Sequence, residues 1–329
     1  KTLAIARGLV MRGHEVRLYI DGTDVEIEAS LTLLRQTGHL DYARFGGSIS
    51  NLAACDALIA THWRTAYLVE AMADFAARSF YFVQDYEPYF YAMGESYIRA
   101  DHSYDLGLFI ISYGSWCLKE IETRHKCAGD IVPYFIDQEQ YDAAPANWRE
   151  RNKILFFARP DMERRCYYMG VQALDQLQRR LNIKEKGFEI VMFGSEKPLG
   201  SLPFPHSNLG VVSPAQLAEL YRSARLGLAL STTNMSMVSY EMMACGCPIV
   251  DFDIHNNAEM YGGRENVFLA EPDPDRVAQV MVNALTNHEQ AQQVAERAYR
   301  FTKRFPAEME VIAAFEKIVF DEVRHRTSA

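Results

Sequence analysis

Short apolar runs alternate with helical patterns along most of this chain, and that alternation restricts the fold more than any other feature of the sequence. In the first part the runs are rich in β-forming residues and lie at 15–20, 57–60, 80–83 and 108–111. Strands that alternate with helices form parallel sheets with helices on both faces. The chain to about residue 137 is therefore predicted to form a Rossmann-like half.

A second series of the same kind begins near Lys153. Its apolar runs lie at 154–158, 189–193, 226–230 and 249–252. One intervening helix has several start signals together, because Ser213 can cap it, Pro214 occupies its first position and Gln216 completes a capping box. This series predicts a second α/β half built like the first.

The length of 329 residues also favours two domains, since a single hydrophobic core rarely keeps growing at this size. We expect an N-terminal domain over 1–140 and a C-terminal domain over 150–305, with the polar segment 139–150 as the linker. A final helix at about 306–323 is the candidate for crossing back to the first domain. Residues 2–10 already read as a helix with no strand before it, so we expect a strand and loop to precede Lys1 in the complete protein.

Charge and composition exclude several classes of protein. The formal net charge of −9 disfavours non-specific binding to nucleic acid. No stretch approaches the roughly 20 apolar residues of a spanning helix, and no signal peptide is visible. The six cysteines are scattered in a way that suits neither a zinc site nor a redox motif. We expect a cytoplasmic protein with reduced cysteines, whose membrane contact, if any, is peripheral and at the inner face.

The first chemical signal is a strand, a small polar loop and a helix at 226–250. The loop amides and the positive end of the helix would face a diphosphate. Glu241 lies within the helix, ahead of Gly246, and is placed to accept hydrogen bonds from a sugar hydroxyl. The loop residues predicted to bind the donor are Thr232, Thr233, Asn234 and Met235. The alternative is an ordinary strand–loop–helix unit with a solvated Glu241.

The second signal is a basic stretch just past the strand at 154–158. Arg159 and Arg164 carry fork-shaped guanidinium groups, which suit a diphosphate in binding and in stabilising charge on a leaving group. Arg165 is a weaker candidate for the second position. The alternative is a solvated basic turn that pairs with its own acids, Asp161 and Glu163.

Two strand ends in the first half carry polar residues. His62 follows the strand at 57–60, where an inward-facing imidazole could hydrogen-bond a sugar. The next strand is followed by a loop of acids, an amide and aromatic residues, and its candidates for the acceptor or sugar side are Gln84, Asp85, Tyr86 and Glu87. The alternatives are a structural histidine and a packed aromatic rim.

The stretch at 230–250 resembles the C-terminal signature of glycosyltransferase family 4, in which two glutamates separated by seven residues precede a small residue, glycine and proline. Glu241 and Gly246-Cys247-Pro248 fit that pattern, and the resemblance implies that Glu241 binds the nucleotide ribose. The other family glutamate, which touches sugar hydroxyls, falls at Thr233. This chain therefore departs from the family in how it holds the donor sugar.

Other segments resemble the same family in order and spacing. Arg159 matches the arginine of an Arg-and-Lys pair, and Arg164 most nearly matches the lysine. The end of the strand before His62 is similar to the His-containing strand end of glycogen-synthase-like and family 4 enzymes. Gly194 and Val212 lie where the family's loops enclose the base. The run 82–91, with Ala158-Arg159-Pro160, resembles the bacterial rhamnosyltransferases of the WsaF type.

The resemblance implies the GT-B architecture, with two Rossmann-like domains whose parallel sheets face across a cleft. It further implies a retaining transfer from a nucleotide-diphosphate sugar, with dTDP-L-rhamnose as the leading donor and a growing surface polysaccharide or lipid-linked glycan as the acceptor. No metal ligand set is visible in the sequence, so Arg159, Arg164 and the helix amides are expected to supply the positive charge.

Thr233, followed by Met235 and Met237, also bears on the donor sugar. This loop offers few strong hydroxyl acceptors and more adaptable apolar surface, which favours a 6-deoxy sugar over glucose.

Two other functions fit parts of the pattern. A sugar-nucleotide epimerase uses a related two-domain fold, and a catalytically silent binding domain would explain the missing glutamate at Thr233. A dinucleotide-dependent dehydrogenase is disfavoured because no Gly-x-Gly-x-x-Gly loop is present.

Overall fold

The structure is a computed structural model that describes residues 1–36, 44–47, 51–195, 197, 199–255 and 257–327. The chain divides into two compact units. The first unit comprises Lys1–Tyr134 with Glu308–Ala329, and the second comprises Phe135–Ala307. Each unit is an α/β structure built on parallel strands.

The first unit contains a two-stranded and a four-stranded parallel sheet. Its elements are α1 (Thr2–Met11), β1 (Arg17–Tyr19), α2 (Asp24–Gln36), β2 (Arg44–Gly47), β3 (Cys55–Ala60), α3 (Trp63–Ala71), β4 (Ala76–Val83), α4 (Glu95–His102), β5 (Phe109–Tyr113), α5 (Ser115–Glu122) and β6 (Gly129–Val132). Strand β1 pairs with β2, and the larger sheet has the order β3-β4-β5-β6. The predicted strands at 15–20, 57–60, 80–83 and 108–111 are confirmed. Strands β2 and β6 were not predicted, and β6 is a short edge strand with exposed residues.

The second unit is a six-stranded parallel sheet covered by helices. Its elements are β7 (Lys153–Phe157), α6 (Tyr167–Leu181), β8 (Glu189–Phe193), β9 (Ser207–Asn208), α7 (Pro214–Arg222), β10 (Ala224–Leu228), α8 (Met237–Ala244), β11 (Ile249–Phe252), α9 (Asn257–Met260), β12 (Phe268–Ala270), α10 (Pro274–Thr286) and α11 (His288–Thr302). The strand order is β12-β11-β10-β7-β8-β9. All four predicted strands of this series are present, and Ser213 caps α7 in the predicted capping box with Gln216.

The segment 139–150 lies inside the second unit, whereas the sequence suggested it as a linker. Trp148 is fully buried there, and its indole Nε1 donates to the carbonyl oxygen of Arg225 at 2.9 Å. The Arg225 guanidinium lies over the same indole, 3.5 Å from the ring centroid. These contacts of Trp148 fix the segment to the sheet. The polar composition of the segment as a whole did not indicate this attachment.

The last helix, α12 (Glu308–Thr327), belongs to the first unit and packs against α1. Arg12 and His14 both bind the Glu316 carboxylate, and Arg7 pairs with Glu308 at 2.9 Å. No helix in the described part of the chain has the length and apolar character needed to cross a membrane.

Gly8 sets how closely α1 and α12 approach. A Cβ at Gly8 would lie 2.1 Å from Cδ1 and 2.8 Å from Cγ1 of Ile312, which is fully buried and, as a β-branched helical residue, has little freedom at χ1. Gly8→Ala is therefore expected to lower the free energy of unfolding by about 1–2 kcal/mol, because overpacking outweighs the gain in helix propensity. Thermal unfolding measures this change.

Met11→Ala, on the same helix, provides the control. Its side chain is 70% exposed, so the expected change is within about 0.5 kcal/mol. Equal stability of the Gly8→Ala variant and the unmodified protein would contradict the close packing of the two helices.

Candidate functional site

The six-stranded sheet of the second unit has a topological switch point between β7 and β10. From β7 the chain proceeds outward through β8 and β9, and then returns to β10 and proceeds the other way. Ligands of open α/β sheets bind outside the carboxyl ends of the strands at such a point. The loops at the carboxyl ends of these two strands are 158–166, after β7, and 229–236, after β10.

These two loops are joined by direct hydrogen bonds. The backbone N–H of Thr232 donates to the carbonyl oxygen of Arg164 at 3.0 Å, and the Thr232 hydroxyl donates to the same atom at 3.4 Å. The guanidinium of Arg165, which is only 8% exposed, donates to the carbonyl oxygen of Asn234 at 3.5 Å. The fold thus brings together the basic stretch and the small polar loop, whose bonded residues lie 68 and 69 positions apart in the sequence.

Arg159 is engaged by a neighbouring acid. Its Nε and Nη2 donate to the two carboxylate oxygens of Asp161 at 3.0 and 2.7 Å, and this bidentate pair lowers the pKa of Asp161 to about 2. Arg159 also lies beside Gly194 at the end of β8, since a Cβ there would be 3.5 Å from the arginine Cδ. A diphosphate that binds Arg159 has to compete with Asp161.

Gly194 has a backbone conformation that suits glycine, with φ +101°, and a Cβ there would lie 2.6 Å from the Phe157 ring. Its N–H donates to the carbonyl oxygen of Gly210 at 2.8 Å. The segment that leads to Val212 and the cap of α7 therefore runs alongside the end of β8. Val212 is half-buried, and Val211 is 61% exposed.

Helix α8 begins at the loop 229–236 and carries Glu241. Ser236 caps the helix by accepting a hydrogen bond from the N–H of Val238 at 3.4 Å. Glu241 is half-buried, and its charge adds to the effect of burial in raising the pKa of Tyr141 and Tyr221. Three of the predicted donor residues are buried in this structure, namely Thr233, Asn234 and Met235.

Sequence reasoning missed Asp251, which anchors the same loop. This acid lies in β11, fully buried, and its Oδ1 accepts the N–H of Ser231 at 2.9 Å. Burial raises its pKa to about 7. The available signal was an acid inside the apolar run Ile249-Val250-Asp251-Phe252, a position at which a charge is costly unless it is hydrogen-bonded.

In the first unit, His62 caps α3 at the carboxyl end of β3. Its Nδ1 accepts the N–H of Arg64 at 3.3 Å, so the proton of the neutral ring lies on Nε2. Burial, together with the charge of Arg64, lowers the pKa of His62 and favours this neutral form. His62 is therefore a hydrogen-bond donor through Nε2, which lies 3.8 Å from the Glu87 carboxylate.

The four candidates after β4 have different surroundings. Glu87 is buried and accepts the N–H of Trp63 at 2.6 Å, which fixes it at the start of α3 beside His62. Gln84 is half-buried and donates to the Thr2 hydroxyl at 3.2 Å. Asp85 is buried and accepts the N–H of Tyr86 at 2.9 Å.

Tyr86 is fully buried, as expected for a packed aromatic rim. Its ring stacks on Tyr104 with centroids 5.4 Å apart, and its hydroxyl donates to Asp101 at 2.5 Å. It exposes no ring face to solvent in this structure.

A polar cavity of about 450 Å³ lies next to His62 in the first unit. The guanidinium of Arg99 lies over the rings of Trp63 and Tyr67, 5.4 and 5.3 Å from their centroids, and that of Arg64 lies over Trp63 at 5.3 Å. The rim adds two carboxylates, Asp21 and Glu95. A lining with both charged donors and carboxylate acceptors suits sugar hydroxyls, which both donate and accept hydrogen bonds.

The sequence did not indicate this cavity, because α3 and α4 meet only in the folded unit. Within the described ranges, no group of three or more His, Cys, Asp or Glu side chains is arranged to hold a metal ion.

Comparison with known proteins gives matches over both units. The WsaF N-terminal domain matches residues 35–112 and the WsaF C-terminal domain matches residues 152–282, which together are more than half of the chain. The O-antigen biosynthesis protein RfbC of Myxococcus xanthus is 30% identical over 268 residues. That alignment covers 80% of this chain and 21% of RfbC, so the chain spans about a fifth of that relative.

Solved structures with low sequence identity share the fold. Anabaena Alr3699/HepE in complex with UDP-glucose has a TM-score of 0.74 at 15% identity, with 97% of this chain and 94% of that chain covered. Sucrose-phosphate synthase from Thermosynechococcus elongatus has a TM-score of 0.72 at 11% identity, with 98% and 92% covered. These similarities, with the parallel sheets of both units, confirm the expected GT-B fold. Because both domains of WsaF match, over more than half of its length, the chain belongs to the WsaF family.

Proposed function

We propose that this chain is a glycosyltransferase that takes its sugar from a nucleotide-diphosphate donor bound at the second unit. The observation that carries the proposal is the meeting of the basic loop 158–166 with the loop 229–236 at the switch point of the sheet, through the bond from Thr232 to Arg164. Permanent positive charge and a helix start at one crevice suit a diphosphate.

Each candidate then has a chemical role. Arg159 and Arg164 bind the diphosphate and stabilise the charge that develops on it as the sugar leaves. Glu241 accepts hydrogen bonds from the ribose, and the segments at Gly194 and Val212 lie beside the base. This assignment needs no divalent cation, because the guanidinium groups supply the positive charge, and the transfer is of the retaining type.

The first unit is proposed to bind the acceptor. His62 offers Nε2–H as a donor, while Gln84, Asp85 and Glu87 stand at the adjacent strand end. Tyr86 supports this loop from within the core. The neighbouring cavity, with Arg64 and Arg99, would hold sugar residues of the acceptor.

A growing surface polysaccharide or lipid-linked glycan at the inner face of the membrane is the acceptor that we propose. The support for it is the name of the M. xanthus relative, an O-antigen biosynthesis protein.

We further propose dTDP-L-rhamnose as the donor. Thr233 stands where the family has a glutamate, and Met235 and Met237 follow it. A 6-deoxy sugar has one hydroxyl fewer than glucose, so it loses fewer hydrogen bonds with water when it binds at this loop. A glucose hydroxyl left without a partner costs roughly 1–3 kcal/mol, so the protein is expected to bind dTDP-L-rhamnose roughly fivefold to a hundredfold more tightly than dTDP-glucose. A competition experiment between the two donors, with binding detected as a rise in melting temperature, measures this ratio of affinities.

Thr233→Glu should move the preference toward glucose, once circular dichroism has shown that the variant folds. Equal affinity of the unmodified protein for both donors would refute the rhamnose assignment. Free epimerised nucleotide formed without an acceptor would instead support an epimerase.

A further inference from the structure

Asp251 is a buried acid in the middle of an apolar strand. It is fully buried in β11, and its neighbours Val250 and Phe252 are buried as well. Its Oδ1 accepts two backbone N–H groups, from Ser231 at 2.9 Å and from Phe252 at 2.8 Å. Its Oδ2 accepts the Tyr261 hydroxyl at 2.8 Å. The carboxylate therefore links β11 and the segment after α9 to the loop that follows β10.

The contacts continue from Ser231 into the loop. The Ser231 hydroxyl donates to the carbonyl oxygen of Asn234 at 2.8 Å, and the N–H of Thr233 donates to the Ser231 hydroxyl at 3.4 Å. Arg165 contacts the same Asn234 carbonyl from the basic loop. One carboxylate thus fixes the first residue of a short turn, and that turn presents Thr232 to Arg164.

Stability alone does not explain an acid at this position. Burial of a carboxylate costs more than burial of an apolar side chain of similar volume, and it raises the pKa of Asp251 to about 7. The titratable groups that interact with it are Tyr261, Arg165 and Cys166. An apolar residue would fill the strand more cheaply but would leave the N–H of Ser231 without this acceptor.

We infer that Asp251 is a positioning residue, whose carboxylate holds the loop 229–236 in the geometry that binds the diphosphate of the donor. It does not touch the donor itself. Its effect passes through the N–H of Ser231 and the turn that follows. The diphosphate part of this inference rests on the proposed function, whereas the effect on the loop can be measured without any ligand.

Three variants of the full chain separate the roles. Asp251→Ala removes the acceptor of the Ser231 N–H. Asp251→Asn keeps an oxygen that can accept both backbone N–H groups and removes the charge. Tyr240→Phe is the matched control, because Tyr240 is equally buried, its ring centroid lies 6.1 Å from that of Tyr261, and its hydroxyl donates to the Met260 carbonyl oxygen.

Amide hydrogen exchange is the first measurement. Asp251→Ala is expected to speed exchange in the segment 229–236 by roughly tenfold, while Asp251→Asn and Tyr240→Phe leave it within about twofold of the unmodified protein. If Asp251→Ala does not fold, Asp251→Val provides the test, since valine fills the strand with an apolar side chain and also leaves the Ser231 N–H without its acceptor, so exchange in the segment 229–236 should again speed up roughly tenfold. Unchanged exchange in the available variant would overturn the inference, whatever the activity of the protein.

Binding of dTDP by calorimetry is the second measurement. Asp251→Ala should weaken binding roughly tenfold, and Asp251→Asn should restore it to within about threefold of the unmodified protein. Equal weakening by Tyr240→Phe would show a general loss of stability and would refute a positioning role. If the unmodified protein does not bind dTDP, the proposed donor is wrong, and the exchange experiment still decides whether Asp251 holds the loop.

Discussion

Replacing Arg159 or Arg164 with alanine is expected to lower turnover by roughly a hundredfold or more, because each guanidinium would stabilise charge that develops on the departing diphosphate. Arg164→Ala is a clean test of the side chain, since the bond from Thr232 reaches the backbone carbonyl, which alanine retains. Initial rates of sugar transfer at saturating donor measure the effect.

Two further variants sharpen this test. Arg180→Ala removes an arginine of the same unit that pairs with Asp275 on the surface, and it should leave turnover unchanged. Asp161→Asn weakens the partner of Arg159 and should keep or improve donor binding. EDTA should not slow the reaction. Near-normal rates in both arginine variants, or a strict requirement for a divalent ion, would contradict the assigned charge roles.

Glu241→Ala is expected to weaken donor binding by about 1.5–3 kcal/mol, the range for a hydrogen bond to a charged group, which is roughly ten- to a hundredfold in Kd. The side chain is half-buried on α8, so its loss should leave the fold intact. Calorimetry with the nucleoside diphosphate measures the contribution of the Glu241–ribose contact alone, because this ligand retains the ribose but lacks the transferred sugar.

Glu219→Ala, on the neighbouring α7, is the matched control. Glu219 is exposed, and its removal should change Kd by less than about twofold. An unaltered Kd in Glu241→Ala would remove this glutamate from the donor site, and a lower melting temperature in that variant alone would point to a structural role.

Local patterns were sufficient for most of the secondary structure. The apolar runs that became β7, β8 and β11 are buried strands, and the signals at Ser213 and Pro214 identified the start of α7. These predictions succeed because strand and helix periodicity and end capping involve residues that are close in sequence. Edge strands such as β6 carry a weaker pattern, since only part of their surface is buried.

The candidate site depended more on the fold. The sequence drew attention to Arg159, Arg164 and the loop 232–235, but the partners that define their geometry are distant in the chain. Thr232 meets Arg164 only because β10 returns beside β7. Tyr86 illustrates the opposite case, since its type and position suited a sugar platform, whereas its ring is fully buried against Tyr104.

The sequence by itself determined that the chain folds as two α/β halves, and it selected the segments that bear the candidate chemistry, because these properties follow from residue type and local periodicity. Only the tertiary structure decided which strands are neighbours, where the switch point falls and how a buried acid such as Asp251 is satisfied. Strand order is set by the packing of elements far apart in sequence, and the cost of burying the Asp251 carboxylate is offset by the N–H groups and the Tyr261 hydroxyl that the fold brings to it.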